Sequence, residues 1–328
     1  MNSDPVGIEP VSDEPVSVDP VRVAAARVDT VRIDPVLAQT LAVVVDEGSL
    51  EAASRHLHLT PSAVSQRVRL LEQQLGRRLL VRSRPVGATE AGHAVIRYAR
   101  RHALIEHEAQ EALGLEGEAH APRISIAVNS DSSATWFIEP LSAFAAAHSV
   151  QVEVLREDQD ATARLLESGA AMAAVTSSSQ PSPGCAVTPL GSLVYEAVAA
   201  PQWCERWGAG ADGASVDVLA RAPRIDFDRT DQLQAQWLRA HGVDPSAAPR
   251  HLMPSTHDLA SAVVEGIGWA MMPLQQSVPL REAGAVVALG GPEVATPLFW
   301  QAWRTPPALL RDLGEHVEAA ARRELRSA

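Results

Sequence analysis

Between Thr60 and Gly76 the chain reads TPSAVSQRVRLLEQQLG, a stretch that fixes a helix at both ends. Thr60 supplies a side-chain oxygen for the free amides of a first turn. Pro61 stands at the helical position where a missing N–H costs nothing, and Gly76 provides the stop. In between, Val64, Val68, Leu71 and Leu75 recur at i, i+4, i+7 and i+11 and predict one buried stripe. Ser62, Ser65, Gln66 and Arg69 fall on the other side. Upstream, SLEAASRHLHL predicts a shorter helix opened by Ser49, and PVLAQTLAVVVDEG one that runs from Pro35 to Gly48. Two short helices joined by a tight turn, the second polar on its outer face, have the form of a helix-turn-helix.

Charge says what that outer face is suited to touch. The 328-residue chain has a net charge of −12, yet residues 55–101 hold ten arginines against Glu72 and Glu90. That local +8 leaves −20 for the remainder, so one segment seeks a polyanion that the rest would repel. Ser, Gln and Arg at the start of a helix are the types that pair with base edges in a major groove. Thr60 and the amides beside it suit a phosphate, with the helix dipole in support. Two short apolar pieces, LLVRS and the segment before Thr89, joined through Arg84-Pro85-Val86-Gly87, predict a small β-wing. Arg82 and Arg84 in that wing, with Arg55, are placed for backbone contact. The competing reading is a solvated helical hairpin whose arginines meet only water.

Around this segment the chain divides. Residues 1–33 repeat Asp/Glu-Pro-Val and lack apolar periodicity, which predicts a disordered acidic tail. The expected DNA-binding unit spans 34–88. A long helix over 89–115 places Ala91, Val95, Tyr98, His102, Ile105, Ala109 and Ala112 on one stripe, which calls for a partner such as its own copy. Residues 116–122 read as a hinge. From 123 to 328 strand-like and helix-like pieces alternate, the pattern of an α/β unit with a largely parallel sheet, large enough for two subdomains. Their expected extents are 123–195 with 298–328, and 196–297.

Several chemistries find no support. Cys185 and Cys204 lack any CxxC spacing, and His56 and His58 have no second pair nearby, so neither a metal nor a disulfide is expected. GAGADG at 208–213 follows no apolar strand and opens no helix, so it does not read as a dinucleotide loop. With no nucleophile elbow either, no enzyme and no cofactor is expected. No run of 18 apolar residues occurs and no secretory leader is visible, which predicts a cytoplasmic protein without a membrane partner.

The stretch LAVVVDEGSLEAASRHLHLTPSAVSQRVRLLEQQLGRRLLVRS, followed by TEAG at 89–92, resembles the N-terminal domain of the LysR-type transcriptional regulators, with Val68 where that family often has Ile. Similarity extends over everything after residue 35. The resemblance implies an N-terminal winged helix-turn-helix with a linker helix, and a C-terminal α/β domain of two subdomains like a periplasmic binding protein. It implies base contacts from Pro61, Ser62, Ser65 and Gln66 and backbone contacts from Arg82 and Arg84. The partners it implies are double-stranded promoter DNA, a homodimer or homotetramer, and RNA polymerase at the promoter. The alternative is a small-molecule-binding protein or enzyme whose N-terminal helices only oligomerise.

In the C-terminal unit, strand-like pieces run into polar clusters: Asn129-Ser130-Asp131-Ser132, Thr176-Ser177-Ser178, Asp226-Phe227-Asp228 and Ser255-Thr256-His257-Asp258. Each is also an ordinary helix cap. Their recurrence at strand ends, where open α/β sheets bind ligands, suits a zwitterion with a cationic side chain. AVNSDSSATW (127–136) and APRIDFDRTD (222–231) are similar to the arginine/lysine-responsive branch of the same family, which controls amino-acid export. That likeness implies a basic amino acid as effector. The expected lining is Ser130, Asp131, Ser132, Thr176, Asp226, Asp228, Ser255 and Thr256. Asp131, Asp226 and Asp228 would face the cationic groups, and Ser130, Ser132, Ser255 and Thr256 the carboxylate.

Overall fold

The computed structural model describes residues 32–81, 83–115, 121–156, 159–209 and 213–327. All but the last two residues of the expected acidic tail, most of the expected hinge, and Arg82 lie outside them.

Local signals set the first helices. Asp34 opens α1 (Pro35–Asp46) by accepting from the Val36 and Leu37 amides at 2.8 and 3.2 Å. Ser49 opens α2 (Leu50–His56) through the Ala52 amide, and Thr60 opens α3 (Pro61–Leu75) through that of Ala63. Leu41, Val44, Ala53, Val64, Leu71 and Leu79 are fully buried between them, with Leu75 at the edge. The wing follows as β1 (Leu80–Val81) and β2 (Gly87–Ala88), paired antiparallel. It folds back on the α1–α2 turn, where Gly48, at φ +69°, has no Cβ to meet Pro85 and its carbonyl accepts from Val86. Glu72, the single acid between Thr60 and Gly76, accepts from the Leu79 amide at 2.8 Å and so secures the entry to the wing.

Thr89 caps α4 (Glu90–Ala112) through the Gly92 amide. The stripe expected for this helix divides. Its buried face is Gly92, Val95, Ile96, Ala99, Arg100 and Leu104, whereas Ile105, Ala109 and Ala112 stay exposed. The reason is that the first half of α4 completes the core of the helix-turn-helix, which turns that face toward α1.

The remaining elements are β3 (Arg123–Val128), α5 (Ser130–Thr135), α6 (Ile138–Ala147), β4 (Gln151–Arg156), α7 (Gln159–Ser168), β5 (Ala173–Thr176) and β6 (Cys185–Ala199). Then come α8 (Pro201–Trp207), α9 (Val216–Leu219), β7 (Arg224–Asp226), α10 (Leu233–Ala240), β8 (Arg250–Leu252), α11 (Thr256–Val264) and β9 (Ala270–Pro273). The chain closes with α12 (Leu274–Glu282), β10 (Val287–Ala288), β11 (Val294–Trp303) and α13 (Ala308–Glu324). β3 is parallel to β4 and β5, and β7 to β8. The sheet is nevertheless not largely parallel, because β6 and β11 run antiparallel along their length and β5, β9 and β10 pair antiparallel with them. These two long strands carry the chain between two lobes. One is built on β3, β4 and β5. The other has its own small core of Val198, Ile225, Leu259, Val263 and Met272. Where they cross, the register shifts at Leu298/Phe299 opposite Gly191, whose φ of +125° suits only glycine. No helix among the described residues is long and apolar enough to cross a membrane.

Candidate nucleic-acid interface and ligand cleft

The first half of α3 presents Pro61, Ser62, Gln66 and Arg69 as exposed side chains, with Ser65 half-buried beside Val64 and Val68. Thr60 serves its helix cap and also lies 3.0 Å from the Ser62 hydroxyl, so the two oxygens are ordered at the helix start. Arg55 at the end of α2 and Arg84 in the wing are exposed on either side. The N-terminal half of α3 is therefore exposed and carries hydrogen-bonding side chains, with the cations of Arg55 and Arg84 exposed as well.

The second site lies where the lobes meet. Asp131, in the first turn of α5, is half-buried. Its carboxylate accepts from the Tyr195 hydroxyl at 2.7 Å and from Thr256 Oγ1 at 2.9 Å. α5 belongs to one lobe, Thr256 begins α11 in the other, and Tyr195 sits on the crossing strand β6. One carboxylate thus ties both lobes and their connection. Burial pushes the Asp131 carboxyl above its ordinary range against the pull of its two donors, and the Asp231 charge adds to the rise. The Tyr195 phenol is pushed well above its ordinary value by burial, then by the neighbouring Asp131.

Around this link several buried polar atoms have no partner among the described residues: Asn129 Oδ1, Ser132 Oγ and the Trp136 indole N–H. Ser132 is fully buried, and a hydroxyl in that position demands a partner. Ser255 caps α11 through the Asp258 amide, and Thr176 accepts from the Ser178 amide at the end of β5. Ser130 is half-buried on the first turn of α5.

Two of the expected cation holders are engaged inside the chain. Asp226 is buried between Arg224, 3.0 Å away, and Arg250, 2.5 Å away. Burial still raises its carboxyl even against both guanidinium groups. Asp228 accepts from the Thr230 amide and hydroxyl and from the Asp231 amide, a turn that outweighs its partial burial and holds its carboxyl low. Three residues outside the expected lining take part. Tyr195 is one, and Asp231, which accepts from the Phe227 and Leu233 amides, is another. The third is Gln301 on β11. It is buried, donates to Ser178 and Gln180 carbonyls, and accepts from the Ser182 amide, so it fixes the loop after β5. A lone tyrosine and a lone glutamine inside apolar strands were the available signals for two of them.

Both parts of the chain match known families. Residues 37–93 match the bacterial regulatory helix-turn-helix protein model of the lysR family, and residues 117–322 match the LysR substrate binding domain. The HTH-type transcriptional regulator LysG of Mycobacterium tuberculosis is 40% identical over 287 residues, 88% of this chain and 93% of that protein. Among solved structures, ArgP from Mycobacterium tuberculosis superposes with a TM-score of 0.76 at 37% identity, covering 90% of this chain and all of that one. Full-length LysG from Corynebacterium glutamicum with bound effector arginine gives 0.69 at 33% identity, covering 89% and 99%.

Proposed function

The chain belongs to the LysR family of bacterial DNA-binding transcriptional regulators, and from that premise we propose that it senses a basic amino acid, arginine or lysine, in the cleft between its lobes. The observation that carries this reading is Asp131. It is a carboxylate at the meeting of both lobes, bordered by buried polar atoms that have no partner among the described residues. Counted together, Asp131, Asp226, Asp228 and Asp231 outnumber Arg224, Arg229 and Arg250 by one, a balance that favours a ligand of net positive charge. Asp131 would receive an ammonium or guanidinium. Ser130, Ser132, Thr176, Ser255, Thr256 and the first amides of α11 would surround the carboxylate. Asp226 and Asp228 would act through their charge, since Asp226 is paired with two guanidinium groups and Asp228 is held by its own turn.

The action follows from the geometry. A ligand that bridges α5 and α11 closes the lobes, and closure favours one arrangement of the assembly on DNA over another. The exposed Ile105, Ala109 and Ala112 of α4 offer the surface on which two copies would pair in the cytoplasm. α3 would read the operator through Ser62, Ser65 and Gln66, and Arg55, Arg69, Arg82 and Arg84 would hold phosphates. The gene so controlled would serve export or metabolism of the amino acid sensed. The test is a gel shift with the intergenic DNA upstream of the gene, with and without L-arginine or L-lysine, over a salt series. A specific shift that weakens steeply with salt and changes in mobility or affinity with one of the two amino acids is expected. No specific shift at moderate salt would remove the basis for the operator reading. A shift indifferent to both amino acids would remove the effector reading alone.

A further inference from the structure

Three arginines in α4 meet the C-terminal lobes. Arg97 donates to the Glu167 carbonyl, and Arg101 donates to the Thr305 carbonyl and hydroxyl at 2.5 and 2.8 Å. Two turns further on, Glu108 accepts from the Leu309 amide at 3.1 Å. Arg97 and Glu108 match the helix dipoles they touch, a cation at the C-terminal end of α7 and an anion at the N-terminal end of α13, while Arg101 holds the loop before α13. These contacts dock the linker on one lobe.

Arg100 does more. Only 9% exposed, its guanidinium donates to the carbonyls of Gly169 and Ala170 and, at 2.5 Å, to the carboxylate of Asp46. Asp46 is the last residue of α1, inside the reading domain. Gly169 and Ala170 form the turn between α7 and β5, and Gly169 needs its positive φ and its missing Cβ to let Arg97 pack against it. Burial pulls the Arg100 guanidinium below its ordinary pKa, and Asp46 pulls it back up. A charge in so dry a place is held by its partners, and breaking one contact strains the others.

β5 connects that turn to the cleft. Residues 171–176 are all buried, and β5 is hydrogen-bonded to β3 on one side and β11 on the other. It therefore transmits a displacement along its length rather than absorbing it. Thr176 at its far end is among the residues proposed above to surround the ligand carboxylate, and Arg100 grips the turn at its near end.

We propose that Arg100 is a positioning residue for regulation: it ties the end of α1 to the α7–β5 turn, so that lobe movement at Thr176 reaches the helix-turn-helix. One arm of the test rests on the basic amino-acid reading above and the other does not. Asp46→Asn and Arg100→Lys are made in the full chain. In the first arm, DNA affinity is measured with and without saturating L-arginine. The wild-type ratio, in the range of about 5–150-fold common for coupled sites, should fall to within about twofold of one in both variants. L-Arginine affinity without DNA, and DNA affinity without arginine, should each stay within about threefold of wild type. A merely structural role would instead lower both affinities together and keep the ratio. An unchanged ratio in both variants overturns the proposal, as does a wild-type ratio of one with arginine bound.

The second arm uses no effector. Hydrogen exchange of the amides from 168 to 176 is compared with and without the upstream intergenic DNA. DNA should alter their exchange in the wild type and leave it unaltered in the variants. The same change in the variants, or none in the wild type, overturns the proposal. If the wild type fails to bind L-arginine at all, the amino-acid reading has failed and this second arm alone decides the coupling.

Discussion

Replacing Asp131 by Asn separates what this side chain does for the fold from what it does for a ligand. The carboxylate accepts two hydrogen bonds, from Tyr195 and Thr256. Both partners are hydroxyls, able to donate or accept, so an amide can accept from one and donate to the other. The hydrogen-bond count is preserved, and the charge is what is lost. Burial holds the Asp131 carboxyl above its ordinary pKa, so its ionised form is less favourable in the folded chain than in the unfolded one. That contribution to stability is complete below the unfolded pKa and declines as pH rises through the higher folded value. At neutral pH Asp131→Asn escapes the decline, and the melting temperature should hold or rise. A ligand ammonium or guanidinium loses a charge-assisted bond worth about 1.5–3 kcal/mol, or ~10–150-fold in affinity. Calorimetric titration with L-arginine, alongside a thermal melt, reads both quantities. If Asp131→Asn binds L-arginine within about threefold of a wild type that does bind it, Asp131 does not hold the cation. If the melting temperature and the affinity fall together, the loss is structural and the separation argued here is wrong.

Other outcomes follow from the same geometry. Because a cationic ligand favours ionised Asp131, binding should release a proton. L-Arginine affinity should then rise with pH through the raised Asp131 value and level off above it, and the dependence should flatten in Asp131→Asn, as titrations across a pH series would show. Gln66→Ala should cost about 1–3 kcal/mol at the base pair it contacts and relax preference there, visible in binding to a set of single-substituted operators. Arg84→Ala should weaken binding to every sequence alike and reduce the slope of log affinity against log salt by about one. Leu71→Ala, which empties a fully buried site in the helix-turn-helix core, should destabilise that domain by ~2–5 kcal/mol in denaturant titration and leave L-arginine binding intact.

What the sequence made legible was local. Asp34, Ser49, Thr60 and Thr89 announce helix starts through contacts two or three residues away, and each cap is formed. Periodicity told which residues of α4 share a face but not which neighbour that face meets, so Ile105 was placed on one stripe with Val95, although Val95 is in the core and Ile105 is exposed. Alternating strands and helices said nothing of the long antiparallel return along β6 and β11. The partners of buried charges were hidden in the same way: Arg250 lies 24 residues from the Asp226 it neutralises, and Tyr195 lies 64 from Asp131.

The count of ten arginines between 55 and 101 is where this matters most. As a sum it described one basic strip. In the fold, Arg97, Arg100 and Arg101 turn to carbonyls of the C-terminal lobes, and Arg67 turns to Thr40 on α1. Arg55, Arg69, Arg77, Arg78 and Arg84 remain exposed around the reading helix. The salt dependence of DNA binding should accordingly report cations from 55 to 84 and be insensitive to Arg100→Lys. The arginines of α4 belong to a different task, in which charge is used to hold two domains in register rather than to hold a phosphate.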